Sequence, residues 1–255
     1  MTSTIDLFGY RISSQPLAPT VAAALEAVDD KRTCSYLACA NPHSVVEADH
    51  DPAFRRALCE ADMLVPDGAG IVLAAKLLKL APLERLAGHD VFTGVMSALN
   101  ARGRGRIFFL GSTPAVLAKI RAQVAKDYPN LSVVGVYSPP FRERFSDDDN
   151  DAMISAINDS APDVLWVGMT APKQEKWLHE HRDRLAVPFA GAIGAVFDFY
   201  AGTKKRSPEW SQKMGLEWLP RLMREPRRLW RRNFVSSPLF LAKVAGQMVR
   251  SPASR

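Results

Sequence analysis

The first residue in the chain whose type and position could support chemistry is Asp67. Residues 63–66 form a short apolar run that ends in Pro66, and Gly68 and Gly70 follow the aspartate. Proline cannot extend a strand, and the glycines permit a close turn into a helix. The pattern therefore predicts Asp67 at the carboxyl end of a parallel strand, where α/β sheets bind ligands. A carboxylate there is suited to general base catalysis, although capping of the following helix is the simpler alternative.

Two further predicted strand ends carry residues suited to ligand binding. Gly111 ends one apolar run, and residues 112–114 (Ser-Thr-Pro) begin a helix whose exposed amides and dipole favour a phosphate. The same residues are also an ordinary helix start. Gln174 lies just after the apolar run 163–169, and its amide offers a donor and acceptors to a nucleobase or a sugar. An ordinary surface helix start is the alternative there too.

The segments that must position these residues alternate between strands and helices up to about residue 203. Apolar runs and helical periodicity predict this alternation, which is typical of a mostly parallel, doubly wound α/β sheet. Its strand-end loops should gather at one edge, at residues 41, 67, 111, 137, 170 and 194. At the N-terminal end we expect a single first strand at residues 6–11 and one continuous helix at 44–60.

Positive charge is concentrated at the C-terminal end of the chain. Residues 204–255 contain thirteen Lys or Arg and three Glu, a net charge of +10, while the whole chain carries +6. Residues 1–203 therefore carry −4. This asymmetry predicts two parts, an α/β domain over 1–203 and a basic helical appendage over 204–255.

The appendage interleaves its arginines with large apolar residues such as Trp218, Trp230 and Phe240. That pattern favours an amphipathic segment that lies on an anionic membrane surface. Pro226 should break or kink any helix there. A solvated basic helix packed on the body is the alternative. Nucleic-acid binding is disfavoured, because no aromatic platform or helix-turn-helix pattern accompanies the charge.

Composition indicates a globular protein of the cytoplasm. Hydrophobic residues make up 47% and charged residues 24% of the chain, and no run of eighteen apolar residues occurs. The first residues lack the basic and apolar regions of a signal peptide. Cys34, Cys39 and Cys59 are odd in number and lack metal-site spacing, so they are interpreted as small buried side chains in a reducing compartment.

Eight short segments at the predicted strand ends and in the basic region form a set. They are Asn41-Pro42-His43, Pro66-Asp67-Gly68-Ala69-Gly70, Gly88-His89-Asp90, Phe109-Leu110-Gly111, residues 167–175, residues 197–202, Lys205-Arg206-Ser207-Pro208 and residues 216–222. In order and spacing, over about residues 34–235, this set resembles the WecG/TagA/CpsF glycosyltransferase family. One such segment would be a weak signal, whereas eight in register are a strong one.

The resemblance implies a Rossmann-like fold and an inverting transfer from a UDP-sugar, typically UDP-N-acetylmannosamine. The implied acceptor is a sugar on a polyprenyl diphosphate lipid, and no metal or other cofactor is expected. Such steps build teichoic acid linkage units and other surface polysaccharides. The enzyme would work in the cytoplasm, peripheral on the inner face of the plasma membrane. It is a possible homo-oligomer, in which arginines of one copy could reach the site of another.

The resemblance also implies roles for residues within the matched segments. Asp67 falls on the proposed catalytic base and Arg85 on a functional arginine. Substrate contacts are expected from Asn41, Gly111, Gln174, Glu175, Arg221, Arg228 and Arg231. Without a metal, cations would have to stabilise the leaving diphosphate, and guanidinium groups bind phosphate in a bidentate manner.

Three residues depart from the family pattern near the expected donor site. Cys39 stands where many members have threonine, and Thr170 and Ala192 replace glycines. These departures leave the donor open between N-acetylmannosamine, glucose, another N-acetylated hexosamine and a uronic acid.

The run Ser146-Asp147-Asp148-Asp149 superficially resembles the metal-binding Asp-x-Asp of many sugar transferases. A serine followed by first-turn carboxylates is also a normal capped helix start, and Ile154 and Ile157 continue a helical pattern. We therefore expect a helix start here and no metal site.

Two other classes of protein compete with the transferase interpretation. A Rossmann oxidoreductase or methyltransferase would need a Gly-x-Gly-x-x-Gly turn after the first strand and an acidic residue about twenty positions later. Neither occurs in that arrangement. A non-catalytic scaffold on the membrane would need only the appendage, and it leaves the loops around Asp67 and Gln174 unexplained.

Overall fold

The computed structural model describes residues 3–31, 33–204, 222, 230 and 232–250. The strands are β1 (Thr4–Leu7), β2 (Tyr10–Ser13), β3 (Ser35–Ala40), β4 (Met63–Pro66), β5 (Arg106–Gly111), β6 (Ser132–Tyr137), β7 (Val164–Gly168) and β8 (Phe189–Ala192). The strands β3 to β8 form a six-stranded sheet in the order β4-β3-β8-β7-β5-β6, and all its neighbours pair in parallel. The predicted α/β class and parallel sheet are therefore confirmed.

Helices cover both faces of this sheet. They are α1 (Leu17–Asp30), α2 (Pro42–Ala48), α3 (Pro52–Cys59), α4 (Ala69–Leu77), α5 (Gly88–Ala101), α6 (Pro114–Asp127), α7 (Asp147–Asp159), α8 (Lys173–His181), α9 (Val196–Tyr200) and α10 (Ser237–Arg250). Buried side chains of α1, α5, α6 and α9 form the core on one face, and those of α2, α3, α4, α7, α8 and α10 form the core on the other. Both faces of the sheet are covered, so β7 is apolar and buried along Val164 to Val167, as its sequence predicted.

The strands β5 and β7 lie side by side, but the helices that follow them lie on opposite faces. Such a reversal opens a crevice at the carboxyl ends of the strands, which is where doubly wound sheets bind ligands. Gly111 has a φ of +121°, and a Cβ there would stand 2.6 Å from the carbonyl oxygen of Gly168. Only glycine allows the two strands to approach so closely at this point.

Two local predictions near the N-terminal end are wrong. The expected strand at 6–11 is a hairpin, because Phe8 and Gly9 both have positive φ and form a two-residue turn between β1 and β2. The expected helix at 44–60 is divided into α2 and α3. Asp51 accepts a hydrogen bond from the amide of Phe54 at 3.0 Å and caps the second helix, with proline in its first turn.

The C-terminal helix α10 belongs to the folded body. Phe240 is 1% exposed and packs edge-on against Phe8 of the hairpin, with ring centroids 5.7 Å apart. Val244, one turn later, is equally buried. Lys243 lies between them in sequence and donates to the carboxylate of Asp49, the C-cap of α2. The predicted boundary near residue 203 stays a prediction, and α10 on its far side packs in the core.

Replacing Phe240 with alanine should destabilise the protein by about 3 kcal/mol, because a fully buried aromatic ring is removed and a cavity remains. Phe234, which is 61% exposed, is the matched control, and its replacement should cost less than about 0.5 kcal/mol. Urea unfolding followed by tryptophan fluorescence measures both effects. Equal, small losses in the two variants would show that α10 is not part of the cooperative core.

Candidate active site

Main-chain hydrogen bonds bring three predicted site residues onto neighbouring loops. The amide of Asp67 donates at 2.8 Å to the carbonyl of the residue directly before Asn41. The amide of Leu86 donates at 2.9 Å to the carbonyl of Pro66, which precedes the aspartate. The loop that carries Arg85 is thereby fastened to the end of β4. Neighbouring backbone segments at the carboxyl edge of the sheet therefore carry Asn41, Asp67 and Arg85.

The N-cap of the helix that follows Asp67 falls on the next residue. Gly68 occupies that position in α4, with a φ of +99°. A Cβ at Gly68 would meet no atom within 4 Å, so the turn beside Asp67 borders open space. Asp67 is thus not the N-cap residue itself, and its half-buried carboxylate lies next to room for a ligand.

Asn41 combines a structural role with its predicted substrate contact. Its Oδ1 accepts a hydrogen bond from the amide of Ser44 at 3.0 Å, and the Ser44 hydroxyl accepts from the amide of Asn41 at 2.8 Å. This reciprocal capping box begins α2. The cap uses one of the two lone pairs of Oδ1, so the Nδ2 amide group and the second lone pair are the atoms through which Asn41 could contact a substrate.

Gln174 and Glu175 form a buried polar pair beneath the loop that follows β8. They are 4% and 3% exposed, and Gln174 Nε2 donates to Glu175 Oε1 at 2.8 Å. The other oxygens, Oε1 of Gln174 and Oε2 of Glu175, have no hydrogen-bond partner among the described residues. A Cβ at Gly194 would lie 3.4 Å from the Gln174 amide. The surface-helix alternative for Gln174 is therefore wrong, and its contact with a nucleobase or sugar stays a prediction.

Burial has a chemical consequence for Glu175. Loss of solvent around the carboxyl raises its pKa to about 7, although the hydrogen bond from Gln174 acts in the opposite direction. A buried carboxyl with one hydrogen bond is expensive to ionise. Glu175 therefore binds a proton much more readily than an exposed glutamate does, with a pKa close to neutral pH.

Cys39 lies among the acidic residues of the site. Burial raises the pKa of its thiol well above the usual value, and the carboxylates of Asp67, Glu175 and Asp90 raise it further. Its Sγ is 3.9 Å from the carbonyl oxygen of Ala192. Two of the three departures from the family pattern, Cys39 and Ala192, therefore contact one another, a proximity that the sequence did not reveal.

The segment Gly88-His89-Asp90 also has a clear structural function. Asp90 accepts a hydrogen bond from the amide of Ala87 at 3.1 Å and so caps α5. Gly88 fits closely over the site, since a Cβ there would come within 3.2 Å of Cys39 Sγ. The start of α5 is therefore packed directly against Cys39. We refer to Gly88, Cys39 and Ala192 together as the floor of the site.

The loop after β5 has the features of an ordinary helix start. Thr113 Oγ1 accepts a hydrogen bond from the amide of Val116 at 3.3 Å, and proline occupies the first turn of α6. Ser112 adopts a left-handed conformation with a φ of 57°, and its carbonyl accepts from the Ser138 hydroxyl at 2.8 Å. Phosphate binding near Gly111 stays a prediction.

The acidic run begins α7 as expected. Ser146 and Asp149 form a capping box, and Asp149 also pairs with Arg142 at 3.0 Å. Lys173, in the first turn of α8, donates to the carbonyl of Arg142 and lies 3.7 Å over the ring of Phe145. Within the ranges that the structure describes, no group of three His, Cys, Asp or Glu side chains is arranged to hold a metal ion.

Three predicted substrate contacts, Arg221, Arg228 and Arg231, lie outside the described residues, as does Trp218. The described segment that follows them is linked to the site. His43, in the Asn-Pro-His turn, contacts Ser236 just before α10. No sequence pattern indicated this contact, because the two residues are 193 positions apart. No helix within 3–31, 33–204 or 232–250 has the length and apolar character needed to cross a bilayer.

Taken together, neighbouring loops carry a carboxylate and a guanidinium at the carboxyl edge of a doubly wound sheet, and the turn beside the carboxylate borders open space. A carboxylate in this position can accept a proton from a hydroxyl group. A guanidinium can stabilise negative charge that develops on a phosphate. The arrangement is therefore suited to the transfer of a group between a phosphate leaving group and a hydroxyl nucleophile.

Comparison with known proteins gives a consistent result. Residues 5–254 match the model described as "Glycosyl transferase WecG/TagA/CpsF family". An N-acetylglucosaminyldiphosphoundecaprenol N-acetyl-beta-D-mannosaminyltransferase of Bacillus spizizenii is 31% identical over 84% of this chain and 80% of its own length. Enzymes with the same name from Bacillus subtilis (29% identical; 84% and 80%) and Staphylococcus aureus (27%; 82% and 79%) are similar over comparable spans.

The buried carboxyl of Glu175 should make the stability of the protein depend on pH. Its pKa is about 7 in the folded chain and near 4.5 when exposed, so the folded state binds more protons between these values. Stability should therefore fall as pH rises from about 4.5 to 7, and a tenfold change in proton affinity is worth about 1.4 kcal/mol, which bounds the loss at roughly 3 kcal/mol. Glu175→Gln should be close to wild type at pH 5 and clearly more stable than wild type at pH 8.

Urea unfolding at pH 5, 6, 7 and 8 measures this difference. Glu180→Gln, an exposed change on the same helix, is the control and should follow the wild type at every pH. A Glu175→Gln variant that also follows the wild type throughout would show that Glu175 is ionised in the folded protein at all these pH values.

Proposed function

Because the chain belongs to the WecG/TagA/CpsF family of glycosyl transferases, we propose that it moves an N-acetylmannosamine-type sugar from a UDP-sugar to a saccharide on a polyprenyl diphosphate lipid. The resemblance seen in the sequence is thus confirmed at the level of the family and of glycosyl transfer. The acceptor is inferred from the printed names of the relatives, which specify N-acetylglucosaminyldiphosphoundecaprenol. The observation that carries the proposal is the position of Asp67, one residue beyond β4, next to open space and next to the loop that carries Arg85.

The reaction we propose is a single displacement with inversion. Asp67 removes the proton from an acceptor hydroxyl, the hydroxyl oxygen bonds to the anomeric carbon, and the bond from that carbon to the diphosphate oxygen breaks. The proton remains on the Asp67 carboxyl and UDP leaves with the bonding electron pair. The acceptor and the diphosphate lie on opposite faces of the sugar, so base and cation must act from different sides.

Charge on the departing diphosphate would be stabilised by arginine side chains in place of a metal ion. Arg85 is one candidate, because its loop is fastened to Pro66 beside Asp67. Arg221, Arg228 and Arg231 are further candidates from the sequence. In the acidic run at residues 147–149, the carboxylate of Asp149 already caps α7 and pairs with Arg142. This engagement is in keeping with a mechanism that uses arginines and not a metal ion held by Asp149.

The identity of the donor sugar is proposed to depend on the floor of the site. Cys39 contacts Ala192, and Gly88 packs on Cys39, so two of the three departures from the family pattern alter one compact patch. N-acetylmannosamine is the first candidate because the relatives are named for it. Glucose, other N-acetylated hexosamines and uronic acids follow as alternatives.

A lipid-linked acceptor requires access to a membrane surface, and we propose that α10 contributes to it. Leu239, Leu241, Met248 and Val249 are exposed on α10 around the buried Phe240 and Val244. A helix that exposes several large apolar side chains in addition to its buried ones has apolar surface available for a second partner. The sequence around it carries the net charge of +10, which would favour an anionic lipid surface. In this proposal the protein works peripherally, on the cytoplasmic face.

Replacing Asp67 with asparagine should lower kcat by at least 100-fold, because the amide cannot accept the proton. The measurement is UDP release from a panel of UDP-sugars with a lipid-diphosphate-linked monosaccharide, in the presence of EDTA. Asp159→Asn, an exposed change at the end of α7, is the control and should keep full activity. Acceptor-dependent release with one donor despite EDTA would identify the sugar and support a metal-independent transfer.

Other outcomes would overturn parts of the proposal. Near-normal activity in Asp67→Asn would remove its assignment as the base. Loss of wild-type activity in EDTA with recovery on adding a divalent cation would contradict the arginine-based mechanism. No release from any donor, with intact lipid acceptor and correctly folded protein, would favour the alternative of a membrane-surface scaffold without catalysis.

Replacing both Leu241 and Met248 with glutamine should reduce binding to anionic vesicles by about tenfold or more, because two apolar side chains are lost from the proposed contact. Flotation with phosphatidylglycerol-containing liposomes measures the bound fraction. Leu17→Gln, on α1 and on the opposite face of the sheet, is the matched control and should bind normally. Unchanged flotation of the double variant would exclude this side of α10 from the membrane contact.

A further inference from the structure

A contact between distant parts of the chain joins the Asn-Pro-His turn to the segment before α10. His43 Nδ1 and Ser236 Oγ lie 2.8 Å apart and share a hydrogen bond. Ser236 is 1% exposed, whereas His43 is only partly buried. A hydroxyl removed from water needs a polar partner, and His43 supplies it. The contact is thus part of the folded interior and not a chance meeting of surface side chains.

The same turn is tightly held on its other side. A Cβ at Gly70, in the first turn of α4, would stand 2.5 Å from Pro42 Cγ. The glycine therefore lets the helix after Asp67 pack directly on the proline beside His43. As a result, the turn that carries Asn41 is confined between α4 and the segment around Ser236.

A second contact sets the direction of α10. Lys243 pairs with Asp49 at the far end of α2, while Ser236 meets His43 at its near end. The two contacts are seven residues apart on the C-terminal segment and six apart along α2. At about 1.5 Å per residue these separations are roughly equal, so α10 runs alongside α2 in the same direction. Its first residues therefore lie at the end of α2 that adjoins the site.

The basic residues that precede Ser236 are its neighbours in sequence. Arg231 is five residues earlier. A contact that holds Ser236 therefore acts on the part of the chain that directly follows the arginine-rich sequence.

We propose that His43 is a positioning residue for glycosyl transfer. Through its hydrogen bond to Ser236 it holds the C-terminal segment at the Asn-Pro-His turn. In this role it makes no contact with the reacting atoms. It fixes where the basic segment enters the site, so that its arginines can stabilise the leaving diphosphate. The inference rests on the proposed function, because it assigns the arginines to that leaving group.

Four variants of the full-length chain test the proposal. His43→Ala and Ser236→Ala each remove the hydrogen bond, and the double variant removes both partners. His43→Asn is the rescue variant, because an asparagine side chain can place a polar atom near the position of Nδ1. Glu180→Gln, an exposed change on α8, is the control.

Steady-state kinetics with the UDP-sugar and the lipid acceptor provide the main measurement. We expect kcat to fall about tenfold in each alanine variant, with no further loss in the double variant and with KM for the donor within twofold of wild type. His43→Asn should recover most of the activity and Glu180→Gln should match wild type. Wild-type kcat in His43→Ala, multiplying losses in the double variant, or failure of His43→Asn to recover activity would each overturn the proposal.

Hydrogen exchange separates this proposal from the proposed function. The amides at the start of α10 should exchange faster in His43→Ala than in wild type, and at the wild-type rate in His43→Asn. This readout does not require turnover, so it remains informative if the transferase proposal fails. Unchanged exchange in His43→Ala would show that the hydrogen bond does not hold the segment, and melting temperatures confirm that each variant is folded.

Discussion

Hydrogen bonds that extend the β3–β4 ladder beyond the ends of those strands determine where the candidate site lies. The amide of Asp67 continues the pairing to β3, and the carbonyl of Pro66 receives the loop of Arg85. These are main-chain contacts, so they fix the positions of the loops independently of the side chains they carry. The side chains can then serve chemistry, because the N-cap position of α4 falls on Gly68 and not on Asp67. Rigid strand ends with chemically active residues one position beyond them are the usual design of doubly wound sheets.

The burial of Gln174 and Glu175 lowers the stability of the folded protein. Two polar side chains are removed from water, and only one hydrogen bond between them is formed among the described residues. A pair of apolar side chains of the same size would fill the core without this desolvation free energy. The protein offsets part of this cost by keeping Glu175 easy to protonate, as its raised pKa indicates. Buried polar groups with incomplete hydrogen bonding are tolerated most often near functional sites. The position of the pair beneath Gly194 agrees with this tendency.

The sequence was informative wherever a local pattern determined the structure. The apolar run of β7 predicted a strand buried on both faces, and the serine with its carboxylates predicted the start of α7. The hairpin was missed because its turn places a phenylalanine, Phe8, at positive φ, which its residue type disfavours. The burial of Gln174 was missed for a different reason. Its neighbours in sequence are polar, and it is the distant loop at Gly194 that covers it.

The most consequential difference between expectation and structure concerns the C-terminal region. Charge alone suggested an appendage attached to a finished domain, but α10 fills part of the core with Phe240 and Val244. Phe240 and Val244 of this helix are therefore committed to the body, whereas Leu241, Met248 and Val249 are exposed. Because α10 runs alongside α2, a lipid surface bound to its exposed side would also lie along the helix that begins at Asn41. Packing of the tail and access to a lipid-linked substrate would then be two consequences of a single docked helix.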